Sequence, residues 1–230
     1  MQSPDGLKLK SIKILYEDNY FIVFDKPSGL LVVPTPKKEK NTLENVVNEA
    51  CLAAGRQERL YPCHRLDRDT SGAIIFAKGR ENQERMMEEF RNKKVEKEYI
   101  AFVRGRLSNR QGEIKSAIRD FEQKKFQGHS PAKLAITRYR LIEQRKFFGI
   151  VAVYPLTGRT NQIRIHFSEI GHPLLGERKY AFAKDFPLKF RRTALHAGTL
   201  KWRHPVYGKT VKIVSPLPDD MAAFIALHKN

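Results

Sequence analysis

The segment His64-Arg65-Leu66-Asp67-Arg68-Asp69-Thr70-Ser71-Gly72 crowds carboxylates, guanidiniums, an imidazole and hydroxyls into one short stretch. It opens directly into Ala73-Ile74-Ile75-Phe76-Ala77-Lys78, which reads as an apolar strand. A charged loop braced by a rigid strand is a place where functional groups sit. A carboxylate held there can act as a nucleophile, or as a stabiliser or proton acceptor beside a reacting bond. The plain alternative is a solvated loop with surface salt bridges, which contribute little. Two other segments carry chemistry: Lys97-Glu98-Tyr99 and the run Pro155 to His166. A phenol such as Tyr99 can assist proton transfer and lie against a flat ring. Its plain alternative is a half-buried strand tyrosine.

Metal chemistry finds little support. The seven histidines are scattered, with no His-x-x-x-His ligand pair, and Cys51 and Cys63 have no CxxC spacing. The expectation is therefore no metal, no cofactor and two reduced thiols.

The elements that must position these groups follow from periodicity. Ile12–Tyr16 and Tyr20–Phe24 read as strands joined by a Glu17-Asp18-Asn19 turn. Lys26-Pro27-Ser28-Gly29 is a second turn, followed by the apolar Leu30 to Val33. Pro34 to Lys40 is a basic loop. Asn41 then caps a helix in which Glu44 completes a capping box. Leu43, Val46, Val47, Ala50 and Cys51 form its buried face, and Gly55 closes it. A second helix is predicted over Glu81 to Asn92 with Met86, Met87 and Phe90 inward. Strands are predicted at Tyr99–Val103, Ala135–Ile142 and Phe147–Tyr154. A short helix spans Thr160 to Ile170 with Ile163, Phe167 and Ile170 inward. Leu195–Trp202 and Thr210–Val214 are strands, and a last helix runs from Asp219 or Asp220 to His228. Strands and helices without strict alternation point to an α+β fold with a mainly antiparallel sheet. One domain over residues 11–230, preceded by a basic tail at 1–10, is the simplest division.

Charge names the partner class. The 230 residues hold 43 Lys and Arg against 25 Asp and Glu, a formal net charge of +18. A polyanion gains by releasing counterions to such a surface, so nucleic acid is the default partner. An anionic membrane is the rival, but no apolar run approaches the ~18 residues of a spanning helix. Residues 1–10 show no apolar stretch of signal-peptide type, which makes the cytoplasm the expected location. Basic clusters at Lys37, Lys38 and Lys40, at Lys93, Lys94 and Lys97, at Lys124 and Lys125, at Arg191 and Arg192, and at Lys201 and Arg203 suit backbone-tracking contacts.

The segment His64 to Lys78 resembles the signature of the RluA-type pseudouridine synthases: His-Arg-Leu-Asp, two variable residues, Thr-Ser-Gly, then an apolar strand ending Ala-Lys. The resemblance covers most of the chain. Leu15-Tyr16-Glu17-Asp18, Lys26-Pro27-Ser28-Gly29-Leu30, Lys97-Glu98-Tyr99-Ile100-Ala101 and Pro155 to His166 continuing to Gly176 are similar to the family's other motifs. So are Leu195-His196-Ala197, His204-Pro205 and Ser215-Pro216-Leu217-Pro218. Two positions depart from the pattern: Asn161 stands where the family usually has His, and Glu177 where it usually has Asp.

The resemblance implies the pseudouridine synthase fold, a curved, mainly antiparallel mixed sheet with flanking helices and a basic central cleft. It implies Asp67 as the essential carboxylate, Tyr99 against the target uracil, and Arg164 paired with Asp67. Arg65 fills the gap left by a flipped base, although its spacing alone suits a phosphate contact equally well, and His64, Thr70, Arg159, Asn161 and Gln162 complete the substrate-binding set. The substrate is structured RNA, ribosomal or transfer, and a monomer is the default. The reaction is an isomerisation of uridine to pseudouridine, which calls for no cofactor. Asp67 could attack the ribose, abstract a proton to leave a glycal, or add to the ring; the residues leave these open. Extruding the base costs a few kcal/mol, least in loops. The rivals are a non-catalytic RNA-binding or ribosome-assembly protein on the same fold, and a metal nuclease.

Overall fold

The computed structural model describes residues 12–119, 131–181 and 188–229. The expected tail at 1–10 and the Lys124–Lys125 cluster lie outside them. Among the described residues there are ten strands and four helices, α+β as expected. They fall into two compact units.

The first unit comprises residues 1–96 and 197–217. Its axis is β4 (Ser71–Lys78), whose residues are buried from Ser71 through Ala77. That explains a continuous apolar run where a half-buried strand would alternate. Antiparallel β2 (Phe21–Lys26) lies along one edge of β4, and β1 (Lys13–Glu17) pairs with β2. On the other side, β3 (Leu60–Pro62) covers Phe76 to Lys78, while β9 (Leu195–Arg203) is the further neighbour and carries β10 (Thr210–Val214). Phe21, Val23, Ala73, Ile75, Met86, Leu200 and Trp202 share one core cluster.

Helix α1 (Leu43–Ala53) is capped by Thr42 rather than Asn41, its hydroxyl accepting from the Asn45 amide. The expected capping box is not needed, because Leu31 and Val32 carbonyls already take the Leu43 and Glu44 amides. Gly55, at φ +73°, ends the helix as expected. In α2 (Arg80–Arg91) Met86 is buried, but Met87 faces solvent. The strand β3 escaped sequence reading because three residues carry no period.

The second unit comprises residues 97–196 and 218–230. Its strands run β5 (Glu96–Arg104), β8 (Phe148–Pro155), β7 (Lys133–Gln144), β6 (Gln111–Ile118) in space, each antiparallel to the next. The strand β6 was not predicted: only Ile114 and Ile118 are buried along it, and Gly112 interrupts its pattern. The Tyr139 ring packs over Gly112 and supplies the missing side-chain contact. Helix α3 (Gln162–Glu169) lays Ile163 and Phe167 into the core with Ala101, Val103, Val151 and Val153, while Ile170 turns outward, against expectation. Helix α4 (Asp219–Leu227) is held by Arg192, which donates to both Asp220 oxygens at 2.7 and 3.0 Å. No described helix is long and apolar enough to cross a membrane.

Candidate active site

The Asp67 loop peels off the edge of β4 where β3 ends. Cys63 donates its amide to the Ile75 carbonyl, and His64 Nε2 accepts the Ile75 amide at 3.0 Å. That bond fixes the His64 tautomer, with the proton on Nδ1. The ring also packs 4.8 Å from Phe90. Leu66 is buried, Arg65 is exposed, and Asp67 lies between these extremes. The Asp67 carbonyl accepts the Thr70 amide at 3.1 Å, closing a tight turn, and Thr70 and Ser71 return buried into β4.

One residue on, the Arg68 carbonyl is held twice, by the Gly29 amide at 2.8 Å and by Lys26 Nζ at 3.0 Å. Lys26 is 0 % exposed and also donates to the carbonyls of Pro27 and Leu30, at 2.9 and 2.7 Å. The Lys-Pro turn thus serves as the floor of the carboxylate's loop. Sequence reading placed both segments in motifs but gave no sign that they touch.

In the second unit, Lys97 and Tyr99 share a face of β5, two residues apart. Tyr99 is half-buried against the core cluster. Burial draws the Lys97 ammonium below its ordinary pKa.

Arg164 is held by a dense set of partners. Its Nε and Nη2 donate to the two oxygens of Glu177 at 2.7 and 2.8 Å, and Nη1 donates to Asn161 Oδ1 at 2.8 Å. Glu177 Oε1 also accepts the amides of Arg178, Lys179 and Tyr180, a nest of backbone donors. Asn161 Nδ2 reaches the Tyr180 hydroxyl at 3.0 Å, and the Tyr180 ring lies 5.3 Å from the guanidinium carbon. The Glu177 side chain is 0 % exposed. Burial alone would push its carboxyl up; Arg164 and the amides outweigh that and hold it below its ordinary value. The two departures from the family pattern, Asn161 and Glu177, therefore grip the same guanidinium. The Glu177 and Asn161 partners are not legible in the sequence.

Gln162 is buried and fully spent. Its Oε1 accepts from the Thr157 hydroxyl and the Arg159 amide, and its Nε2 donates to the Ile136 carbonyl and Thr137 Oγ1. A primary amide has no further hydrogen-bonding position. Arg159 is exposed and gives its Nε to the Leu134 carbonyl. His166 Nδ1 meets Thr137, and His204 is locked between Asp18 and the amides of Val206 and Tyr207. Among the described residues, no group of three or more His, Cys, Asp or Glu could hold a metal ion.

Residues 20–169 match the family described as RNA pseudouridylate synthase, and the chain belongs to it. It is an RNA pseudouridine synthase, an isomerase. The chain is 37 % identical over 225 residues to the protein named uncharacterized RNA pseudouridine synthase YlyB of Bacillus subtilis, covering 95 % of this chain and 74 % of that one. It is 32 % identical to ribosomal large subunit pseudouridine synthase D of Xylella fastidiosa, covering 94 % and 69 %. The solved structure of human RNA pseudouridylate synthase domain containing 4 shares the fold, with a TM-score of 0.77 at 24 % identity over 94 % of this chain and 92 % of that one.

Proposed function

We propose that Asp67 is the carboxylate of the isomerisation, and that Tyr99 and Arg164 serve the same reaction, Tyr99 against the uracil and Arg164 as the cation that favours the ionised carboxylate. The observation that supports Asp67 most is its loop. Its backbone is tied at two successive carbonyls, that of Asp67 to Thr70 and that of Arg68 to Lys26 and Gly29, so the loop that carries the carboxylate is held in place. Gln162 is a brace rather than a substrate contact, because its hydrogen-bonding atoms are spent inside the protein, while His64, braced through Nε2 alone, stays in the proposed RNA-contacting set. Arg65 and Arg159 remain the exposed arginines for RNA. The substrate is large-subunit ribosomal RNA, after the name of the Xylella relative, and the cytoplasm is the compartment where such an RNA is met.

In the reaction the carbon–nitrogen glycosidic bond breaks, the uracil turns, a carbon–carbon bond forms, and the displaced ring hydrogen leaves as a proton. Tritium placed on that ring carbon is therefore released to water. Wild type should release it from ribosomal RNA. Asp67→Asn, which keeps the side-chain shape, should melt with the wild type and release none. Equal release by both proteins would overturn the assignment.

Lys26 gives a second expectation. Lys26→Met keeps the stem but takes the ammonium from the carbonyls of Pro27, Leu30 and Arg68, the last keeping only the Gly29 amide, at about 1–3 kcal/mol for a buried unsatisfied group. With the loop free to drift by about 1 Å, kcat should fall on the order of a hundredfold while KM moves little. Single-turnover rates at saturating RNA, set beside a melting curve, check this.

A further inference from the structure

The basic loop between the Lys-Pro turn and α1 is built. Glu39 folds back onto Thr35, accepting its amide at 2.9 Å and its hydroxyl at 2.8 and 3.0 Å. Lys37 donates its amide to Thr35 Oγ1, and Lys38 donates its amide to the Thr35 carbonyl at 2.8 Å. The Lys40 carbonyl is anchored on α1 by Asn45 Nδ2 at 2.8 Å. Pro34 and Pro36 restrict the backbone further. The stretch thus spends its one carboxylate internally and turns Lys37, Lys38 and Lys40 out to solvent. Among the described residues, none of the three ammoniums has a carboxylate within ion-pair distance.

Lys38 has φ +56°. A left-handed backbone is unfavourable for an ordinary residue, and lysine lacks the short polar side chain that lets Asn or Asp recover the cost locally. A charged residue strained onto the crest of a pinned turn is a mark of function. The turn is also wired to the carboxylate's loop. Glu39 Oε1 lies 3.7 Å from Arg68 Nη2, and the Arg68 carbonyl is the one held by Lys26 and Gly29. Arg65 and Arg68, both exposed, flank Asp67 in the chain.

Resting on the synthase reading above, we propose that the turn Pro34–Lys40 is a docking element for the RNA backbone, with Lys37, Lys38 and Lys40 each taking a phosphate of the strands that flank the target uridine. The turn gives affinity without reading sequence, since phosphate contacts fix register and carry no base information. Its rigidity limits the ordering cost when RNA arrives.

The test is a salt titration of binding to a short RNA duplex of arbitrary sequence. Wild type is compared with the triple variant Lys37→Gln, Lys38→Asn, Lys40→Gln; Asn at 38 tolerates the left-handed backbone, so charge alone is removed. The slope of log K against log salt should flatten by about 2–3, at roughly 0.7–0.9 per phosphate contact. In tritium release from ribosomal RNA, KM should rise at least tenfold with kcat unchanged. An unchanged slope overturns the proposal. So does a fall in kcat at constant KM, which would make the turn a support for the Asp67 loop. Loss of binding to phosphatidylserine vesicles with the RNA slope intact would overturn it in favour of a membrane. A flattened slope from a wild type that releases no tritium would keep the docking element and sink the substrate reading instead.

Discussion

Glu177→Ala is expected to cost about 3–5 kcal/mol of stability, because it takes the bidentate carboxylate from a largely buried guanidinium. The loss is larger than for a surface pair, since three backbone amides lose the same acceptor. Denaturant unfolding measures it. The pH dependence has a defined sign. The folded-state pKa of Glu177 is lowered, so the carboxylate's contribution is fully present above its unfolded value of about 4.3 and is lost as pH falls through the folded value. The stability gap between wild type and Glu177→Ala should therefore be constant near neutrality and close in acid. A gap that persists there would mean that packing, not charge, holds the loop. Glu177→Asp keeps the charge but withdraws it by one methylene, and should fall between the two. Asn161→His belongs in the same experiment. Both side chains bond the same guanidinium, so the two substitutions made together should deviate from additivity by about 0.5–3 kcal/mol.

Those two positions show where sequence stops being informative. Asn161 and Glu177 are 16 residues apart and were visible only as separate departures from a pattern. The reason one position tolerates Asn or His is conformational: Asn161 has φ +55°, and both residue types are enriched in the left-handed region. Long periodic elements, such as β4, α1 and the β7–β8 pair, were legible because burial repeats along them. Asn41 failed as a cap because backbone carbonyls from Leu31 and Val32 do the work that a capping box would do. Met87 and Ile170 read as inward on residue type, whereas each is more than a third exposed, at 38 % and 37 %. For the site, Asp67 and its neighbours could be read as chemistry. That Lys26 props up the Arg68 carbonyl could not, because a lysine beside a proline carries no sign of burial.

Glycines make the sharpest case, and Gly72 against Gly158 is its test. Both stand in motifs, in Thr-Ser-Gly and in Leu-Thr-Gly-Arg-Thr, and sequence gives them equal weight. Gly72 has φ +113°, and a Cβ built on it would sit 2.3 Å from the Ala197 carbonyl oxygen and 2.7 Å from the Ala197 nitrogen. The obstacle is backbone, so no rotamer can swing clear, and β9 itself would have to move. Strained backbone adds roughly 1–3 kcal/mol to an overpacking cost of similar size. Gly72→Ala should therefore lose about 3 kcal/mol or more, enough to unfold a domain of marginal stability. Gly158 is exposed, and a Cβ there meets nothing within 4 Å. Gly158→Ala should stay within about 0.5 kcal/mol of wild type. Thermal melts of the two variants side by side decide it. If Gly72→Ala melts with the wild type, β9 is free to yield at Ala197, and the floor of the Asp67 loop is softer than its hydrogen bonds imply. If it fails while Gly158→Ala does not, the glycine before Ala73 is there for the close approach of two strands, and the loop inherits its rigidity from that contact.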